Sequence, residues 1–263
     1  MCPCQGLLLR RKHPIVRARR FKVADVSDAV ISVEGDEAIH ALRVLRLKAG
    51  KRVVLFDGAG GEVGGMIRSV GRSSFEVEVL ERREQAESGG PRLIIAVAAP
   101  KGERADWLVE KCAELGVSAL MLLRCKRGEV LPGEGKIQRW RRKAVQAAKQ
   151  ARLAAVTTVE APRGLSEILD SLPVGARIWC ADPDKAHPTF VESLRGLETT
   201  GNSSPCDVVF VGPEGGFAPE EIEAIQRSGG LKVRLCRPVL RVETAAVAAA
   251  CFWAAWRAES QVD

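Results

Sequence analysis

The sequence predicts an α/β protein in which a small β-rich domain precedes a mostly parallel sheet covered by helices on both faces. Strand and helix patterns alternate from residue 92 to residue 256, whereas residues 20–83 carry strand patterns joined by short turns. A polar, glycine-rich segment at residues 84–91 separates these two parts. Alternating strands and helices are typical of parallel sheets, and 263 residues suffice for two modest domains.

The β-rich part rests on three runs and one short helix. Val30–Val33 and Arg52–Phe56 are rich in β-branched residues, and residues 75–80 alternate with period two. Residues 35–47 predict a helix with inward Ile39, Leu42 and Leu45 and more exposed His40, Arg43 and Arg46. We therefore expect a small barrel over residues 19–88, after a flexible basic extension over residues 1–18.

The second part, residues 89–263, gives the longer elements. We expect strands over residues 93–98, 117–123, 177–181, 207–211 and 232–235, and helices over residues 105–115, 136–152 and 244–256. The 3.6-residue period of the helix at 136–152 turns Ile137, Trp140, Ala144 and Ala148 inward and Arg139, Arg142, Lys143 and Lys149 outward.

Positive charge is concentrated in two stretches. Seven basic residues and no acidic ones precede Asp25, and these seven equal the formal net charge of +7. Ten Lys and Arg residues stand against Glu129 and Glu134 between Arg124 and Arg152. Such clusters are typical of proteins that bind polyanions, although a solvated tail and a solvated helix face would give the same pattern.

Composition also argues against several classes of protein. The eight cysteines are scattered without a Cys-x-x-Cys pair, so we predict neither a metal site nor a disulfide framework. No apolar run reaches the roughly 18 residues of a membrane span. The basic N-terminal segment lacks the apolar core of a secretory signal, and we expect a cytoplasmic protein.

Two turns carry the chemistry. The apolar run Asp207 to Val211 ends in Gly212-Pro213-Glu214-Gly215-Gly216, and a helix start with Pro219 follows. A second turn, Leu240-Arg241-Val242-Glu243-Thr244, precedes the alanine-rich helix. Ligands of α/β proteins bind at the carboxyl ends of strands, so we expect one pocket between the turns. Neither a Walker nor a Rossmann glycine pattern fits these segments.

The order of five motifs resembles that of the RsmE-type ribosomal RNA uridine-N3 methyltransferases of the SPOUT superfamily. The motifs are Arg43-Val44-Leu45-Arg46, Pro100-Lys101-Gly102-Glu103-Arg104, Lys111-Cys112-Ala113-Glu114-Leu115-Gly116-Val117, Val211-Gly212-Pro213-Glu214-Gly215-Gly216-Phe217 and Leu240-Arg241-Val242-Glu243-Thr244-Ala245. The Gly-Pro-Glu-Gly-Gly and Leu-Arg-x-Glu-Thr-Ala pair is the specific part.

The resemblance implies a PUA-like β-barrel RNA-binding domain followed by a SPOUT domain, an α/β fold with a deep trefoil knot. It also implies a homodimer that uses S-adenosyl-L-methionine to methylate N3 of a uridine in small-subunit (16S) ribosomal RNA. The residues that it assigns to the cofactor are Val211, Gly212, Pro213, Glu214, Gly215, Gly216, Leu235, Leu240, Arg241, Glu243 and Thr244.

The reaction suggests roles for three of these residues. Uracil N3 must lose its proton before it can accept a methyl group, and a base or nearby cations help it to do so. We hypothesise that Arg241 lies near the uracil oxygens, while Glu214 or Glu243 takes the proton or orients a water that does. Alternatively, Glu243 satisfies backbone donors at its helix start. The candidate ligands of RNA phosphates are Arg20, Arg43, Arg46, Lys101, Arg139, Arg142 and Lys143.

Some positions depart from the family pattern. The family usually has Thr at the positions of Ala113 and Val242, Gly at Arg237, and Ser at Ala218, while the helix segment around Lys149 also differs. These departures keep two alternatives open: a non-catalytic RNA-binding protein on a SPOUT scaffold, or a SPOUT methyltransferase that acts on another RNA or on ribose. The loss of an N-cap oxygen at position 218 would cost about 1 kcal/mol.

Overall fold

The computed structural model describes residues 18–83, 91–129, 131–197 and 206–260. These residues form two compact units: residues 18–56 with 62–83, and residues 57–61 with the described residues from 91 onward. Apart from Ala18 and Pro91, the basic extension and the linker that the sequence predicts lie outside the described residues. The exact domain boundaries therefore stay predictions.

The first unit is a five-stranded sheet with the strand order β1-β3-β4-β5-β2. Its strands are β1 (Arg19–Lys22), β2 (Val30–Val33), β3 (Arg52–Phe56), β4 (Glu62–Val70) and β5 (Phe75–Arg83). Strand β1 pairs with β3 in parallel, and the other neighbours are antiparallel. Phe21 and Phe75 meet edge to face at 5.4 Å in its core, so alternate residues of the strands fill one interior.

The short helix of this unit differs from the prediction. It is a single α-helical turn, α1 (Gly35–Ile39), that continues as a π-helical turn over His40–Val44. Ala38 and Ala41 are buried, while Ile39, the last residue of α1, is 38% exposed. The prediction that Ile39 faces inward was therefore wrong, whereas Arg43 and Arg46 are exposed as expected.

The second unit is built on parallel strands. Within the described residues these are β6 (Arg92–Ala98), β7 (Ala119–Arg124), β8 (Thr158–Val159), β9 (Arg163–Gly164), β10 (Arg177–Ala181), β11 (Cys206–Val211) and β12 (Leu231–Val233). The order is β12-β10-β11-β6-β7-β8, with β9 also beside β7. Every residue of the central strand β11 is buried, as expected for a strand covered on both faces.

Helices cover the two faces of this sheet unequally. They are α2 (Glu103–Glu114), α3 (Glu134–Ala151), α4 (Leu165–Asp170), α5 (Phe190–Arg195), α6 (Pro219–Arg227) and α7 (Val242–Ser260). Val209 and Val211 pack in a cluster with residues of α2, α3, α5 and α7. Val208 and Phe210 pack in the opposite cluster with α4 and α6. The parallel α/β architecture predicted from the sequence is thus confirmed.

One boundary shift has a clear cause. Strand β7 begins at Ala119 and not at Val117, because the Val117 N–H donates to the Cys112 carbonyl at 3.0 Å and closes the end of α2. Gly116, with φ of +75°, makes the left-handed turn that this closure requires. In the described part of the chain, no helix combines the length and apolar character needed to cross a bilayer. The trefoil knot stays a prediction.

Candidate active site

A cavity of about 500 Å³ opens where β10, β11 and β12 end and α7 begins. Its volume lies within the range of about 300–1,000 Å³ that is usual for small-molecule sites. The lining includes Asp182 and Pro183 after β10, the turn after β11, and the segment that leads into α7. The predicted cofactor residues among them are Val211, Gly212, Pro213, Glu214, Gly215, Gly216, Leu235, Leu240 and Arg241.

The turn after β11 is fixed by its own backbone and by one arginine. The Gly216 N–H donates to the Pro213 carbonyl at 2.8 Å, and Gly216 has φ of +69°. Arg127 Nη1 donates to the Gly215 carbonyl at 3.0 Å. A Cβ added at Gly212 would lie 3.0 Å from Phe217 Cδ2, so a side chain at this position would force Phe217 to move. The turn therefore keeps a fixed conformation, and its backbone forms one wall of the cavity.

The start of α6, which follows this turn, is capped by a side chain of its own first turn. Ala218 has no side-chain oxygen, but Glu221 Oε2 accepts the Ala218 N–H at 2.7 Å. The second oxygen, Glu221 Oε1, accepts the Lys126 N–H at 2.9 Å. Glu221 thus makes one half of a capping box and also ties the segment after β7 to α6. It limits the cost expected from the missing serine.

The segment between β12 and α7 forms the other wall. Cys236 Sγ donates to the Pro238 carbonyl at 3.3 Å, and the Ala245 N–H donates to the Arg241 carbonyl at 2.8 Å as α7 begins. Arg241 is exposed and lines the cavity. Glu243 and Thr244, both described residues of α7, are not among the lining side chains. Thr244 is exposed, and Glu243 is buried.

Arg104 brings the two predicted carboxylates together. Its Nη1 lies 3.7 Å from Glu214 Oε1 and 3.9 Å from Glu243 Oε1. Glu243 is only 6% exposed, and its Oε2 has no hydrogen-bond partner among the described residues. Buried polar atoms without a partner are rare in proteins and need an explanation. The Glu243 carboxylate therefore keeps an acceptor available immediately beside the cavity-lining residues Arg241 and Val242.

Sequence reasoning missed the role of Arg104, although it stands in the Pro100–Arg104 motif. The motif placed it at the start of α2, but only the adjacency of β6 and β11 brings this helix start beside the turn at Glu214. Asp182 was missed as well. It follows β10 and lines the cavity, and a lone aspartate before a proline gives no signal of this position.

The predicted phosphate ligands fall into two groups. Four already have carboxylate partners: Arg20 pairs with Glu62, Lys101 with Glu129, Arg139 with Asp106 and Lys143 with Glu110. The Arg20 side chain is only 8% exposed, which makes it the poorest candidate. Arg43, Arg46 and Arg142 are exposed, and no ion-pair partner for them occurs among the described residues.

The departures from the family pattern leave the cavity open. Arg237 is exposed, and its side chain is not among those that line the cavity. Ala113 and Val242 are buried in the same core cluster, and Val242 also contributes to the lining. These residues replace the usual hydroxyl groups with apolar contacts without filling the space between the turns. No group of three or more potential metal ligands occurs within the described ranges.

Comparison with known proteins gives consistent matches over both units. A model of the RNA methyltransferase domain family matches residues 88–254, and one of the RNA methyltransferase PUA domain matches residues 33–80. Ribosomal RNA small subunit methyltransferase E of Mycobacterium bovis is 31% identical over 84% of each chain. The protein of the same name from Synechocystis is 28% identical, over 88% of this chain and 75% of its own.

A solved structure matches as well. The ribosomal RNA small subunit methyltransferase E of Neisseria gonorrhoeae, crystallised with S-adenosyl methionine, is 25% identical with a TM-score of 0.75. The match covers 89% of this chain and 96% of the crystallised one. The similarity thus extends over nearly the whole length of both proteins.

Proposed function

Since this chain belongs to the RNA methyltransferase family, with the ribosomal RNA small subunit methyltransferase E proteins, we propose that it methylates N3 of a uridine in small-subunit ribosomal RNA. The methyl donor is S-adenosyl-L-methionine, with which a 25% identical relative was crystallised. The observation that supports this most is geometric: two turns distant in the chain, Val211 to Gly216 and Leu240 to Arg241, line one cavity.

The cavity suits this donor. Its volume of about 500 Å³ accommodates a small molecule, and apolar Val211, Leu235 and Leu240 line it together with the glycine-rich turn after β11. When bound, S-adenosyl-L-methionine supplies a methyl group on an electrophilic sulfonium. The task of the protein is then to orient the uracil and to free the lone pair of N3.

Glu243 is the better placed of the two candidate bases. Its buried Oε2 lacks a hydrogen-bond donor among the described residues, and an uncharged N–H such as that of uracil N3 would supply one. We propose that Glu243 takes the N3 proton, directly or through a water, as N3 accepts the methyl group. Glu214, whose side chain is 54% exposed, is the alternative base.

Two cations complete the site. Arg241, exposed on the cavity wall, stabilises the negative charge that develops on the uracil oxygens as N3 loses its proton. Arg104 is a positioning residue whose Nη1 lies within 4 Å of both Glu214 Oε1 and Glu243 Oε1. Replacing Arg241 with Ala should lower the rate of methyl transfer by roughly 10²–10³-fold, with a much smaller effect on cofactor affinity.

The exposure of the basic side chains indicates which of them can contact RNA. We propose that Arg43, Arg46 and Arg142 bind phosphates first, because they are exposed and unpaired within the described ranges. Lys101, Arg139 and Lys143 can exchange their carboxylate partners for phosphates. A duplex would hide N3 of the target base, so the base must leave its stack to reach the cavity. We also propose a homodimer and, given the substrate, a cytoplasmic location.

Two experiments test this proposal. Isothermal titration calorimetry should show S-adenosyl-L-methionine and its demethylated product binding to the purified protein. Mass mapping of ribosomal RNA from a strain without the gene should show one small-subunit uridine that has lost a base methyl, restored by the wild-type gene and not by Arg241→Ala. Binding without any missing methyl would favour another RNA or a ribose as the target. No binding at all would favour the non-catalytic alternative.

A third experiment tests the RNA surface. Each phosphate contact that is lost should reduce the salt dependence of RNA affinity by about one unit of slope. Arg142→Ala should do so, whereas the matched variant Arg195→Ala, at an exposed arginine of α5 outside the proposed surface, should not. Equal salt slopes for wild type and Arg142→Ala would remove this residue from the surface.

A further inference from the structure

Asp182 occupies a position in the cavity to which the family motifs assign nothing. It directly follows β10, while Arg104 lies in the first turn of α2 after β6. Strands β10 and β6 flank β11 on opposite sides, and two strand spacings amount to about 10 Å. Asp182 therefore lies on the far side of the Gly212–Gly216 turn from the Arg104, Glu214 and Glu243 group.

The Asp182 carboxylate is held firmly without being saturated. Its own N–H donates to the Val233 carbonyl at 2.9 Å, and Oδ1 accepts the Asp184 N–H at 2.9 Å. Oδ2 lies 3.1 Å from Lys232 Nζ and 3.5 Å from His187 Nε2. An ionised carboxylate has about four acceptor positions, so capacity remains for donors from the cavity that Asp182 lines.

We propose that Asp182 accepts hydrogen bonds from the ribose hydroxyls of the bound cofactor. This inference rests on the proposed function. The sulfonium must lie toward Glu243 and Arg241, where the methyl group is transferred, and the adenine ring suits the apolar walls at Leu235 and Leu240. The ribose connects these two parts, and its diol supplies two hydroxyl donors. At neutral pH an ionised carboxylate is the strongest side-chain acceptor for such donors.

The cation Lys232 and the half-buried imidazole of His187 then serve to orient the acceptor. Both lie within 3.5 Å of Asp182 Oδ2, and the loop that carries His187 is fixed to the end of β12 because the Arg234 N–H donates to the Pro188 carbonyl at 2.9 Å. A carboxylate held in this way loses little rotational freedom when it binds a diol, which favours affinity. Asp182 is thus a determinant of specificity for a ribonucleoside ligand.

Calorimetry with ligand analogues tests the inference. S-adenosylhomocysteine should bind Asp182→Ala and Asp182→Asn roughly tenfold to hundredfold more weakly than wild type, as for a hydrogen bond to a charged group. The 2′-deoxy or the 3′-deoxy analogue of S-adenosylhomocysteine should show a similar loss on wild type. On Asp182→Ala, removing the same hydroxyl should cost less than about threefold, because its acceptor is already gone.

Controls separate this role from a structural one. Asp184→Asn changes the same charge in the same loop at an exposed residue outside the cavity lining, and it should bind all ligands like wild type. Thermal unfolding of each variant checks that the fold is kept. 5′-Methylthioadenosine, which has the diol but no amino-acid tail, should remain sensitive to Asp182→Ala.

Three results would overturn the inference. They are an undiminished hydroxyl effect in Asp182→Ala, the absence of any hydroxyl effect on wild type, and insensitivity of 5′-methylthioadenosine to the substitution, which would assign Asp182 to the ammonium group. Failure of wild type to bind S-adenosylhomocysteine at all would instead contradict the proposed function, so the two failures are distinguishable.

Discussion

Two buried carboxylates, Glu243 in the first turn of α7 and Asp207 bonded to Trp253 of the same helix, differ in the number of hydrogen bonds that they receive. Asp207, near the amino end of β11, accepts from Arg177 Nε and Nη2 at 2.8 and 2.6 Å and from the indole nitrogens of Trp179 and Trp253, each at 2.8 Å. Glu243, in the first turn of α7, has only Arg104 at 3.9 Å, and its Oε2 has no partner within the described residues.

The contrast separates a carboxylate whose acceptor positions are filled from one that keeps an acceptor position open. Each burial removes a charge from water, which costs several kcal/mol unless donors compensate. At Asp207 four donors compensate for the buried charge, and these hydrogen bonds join β11 to β10 and α7. At Glu243 no donor among the described residues reaches Oε2, and in the proposed function the uracil N3–H supplies one. Glu243 and Trp253 are ten residues apart, about 15 Å along one helix. The same helix therefore carries a donor to the fully hydrogen-bonded Asp207 and a carboxylate with an open acceptor position.

The largest effect should come from Glu243→Gln. If Glu243 takes the N3 proton, the rate of methyl transfer should fall by about 10²–10⁴-fold. The substitution should not lower the free energy of unfolding, because the carboxylate has no hydrogen bond to lose within the described residues and its buried charge is uncompensated. Single-turnover kinetics and chemical denaturation measure the two quantities.

The matched control is Glu223→Gln on the exposed face of α6, which should affect neither quantity. Normal turnover in Glu243→Gln would instead assign Glu243 a structural role at its helix start and leave Glu214 as the base. A stability loss of several kcal/mol would remove the distinction between the two carboxylates.

Asp207→Asn should show the opposite pattern. An amide cannot accept from four donors, and its NH₂ group would face at least one of them, so the free energy of unfolding should drop by about 3–5 kcal/mol. Methyl transfer per folded molecule should remain near the wild-type rate at low temperature. Asp170→Asn, at the exposed end of α4, is the control. A stable Asp207→Asn protein would show that the indole and guanidinium donors can find other partners.

Glu221→Gln tests which property of a buried carboxylate decides whether its substitution affects stability or catalysis: its proximity to the cavity, or the number of hydrogen bonds that it accepts. Glu221 is buried near the cavity like Glu243, but both of its oxygens accept backbone N–H groups. The substitution should cost about 1–3 kcal/mol in stability, because one N–H loses its acceptor. Glu220→Gln, which changes an exposed residue paired with Lys126, should cost less than about 0.5 kcal/mol. A purely catalytic defect in Glu221→Gln would contradict the saturation argument.

The sequence predicted the fold class and the two turns because both have local signatures. The alternating pattern and the motif order led to a PUA-like domain followed by a SPOUT-type α/β domain, and the family matches and a TM-score of 0.75 confirm this class. The turn from Gly212 to Gly216 could be located because a glycine-rich turn after a buried strand is recognisable without tertiary information. The short elements α4, α5, β8 and β9 lack such patterns and were not predicted.

The contacts across the sheet could not be predicted in this way. Arg104 reaches Glu214 only because β6 lies beside β11, and Trp253 reaches Asp207 only because α7 crosses the same strands. Strand order is a property of the whole chain, so neither partner shows in a window of local sequence. For the same reason the sequence did not show which candidate phosphate ligands have carboxylate partners: Asp106 and Glu110, which pair with Arg139 and Lys143, lie on another helix.

The smallest effect concerns pH and the third carboxylate of the site, Asp182. Burial alone would raise the pKa of Asp182, but the Asp184 N–H and the Lys232 ammonium outweigh it and hold the pKa below its ordinary value of 3.8. Because the pKa is lowered in the folded state, the unfolded chain binds more protons as the pH falls through this range. The contribution of Asp182 to stability is therefore present above about pH 4 and is lost as the pH falls through the folded-state pKa.

Denaturation curves from about pH 7 to about pH 3 should then show a stability difference between wild type and Asp182→Asn that shrinks with acidification. At neutral pH the difference should be about 0.2–1 kcal/mol, as for a partly exposed ion pair. In a Lys232→Met background the difference should be smaller, because the cation that lowers the pKa is gone. A difference that grows toward low pH would mean that Asp182 is not stabilised by these neighbours, and its carboxylate would then resemble Glu243 more than Asp207.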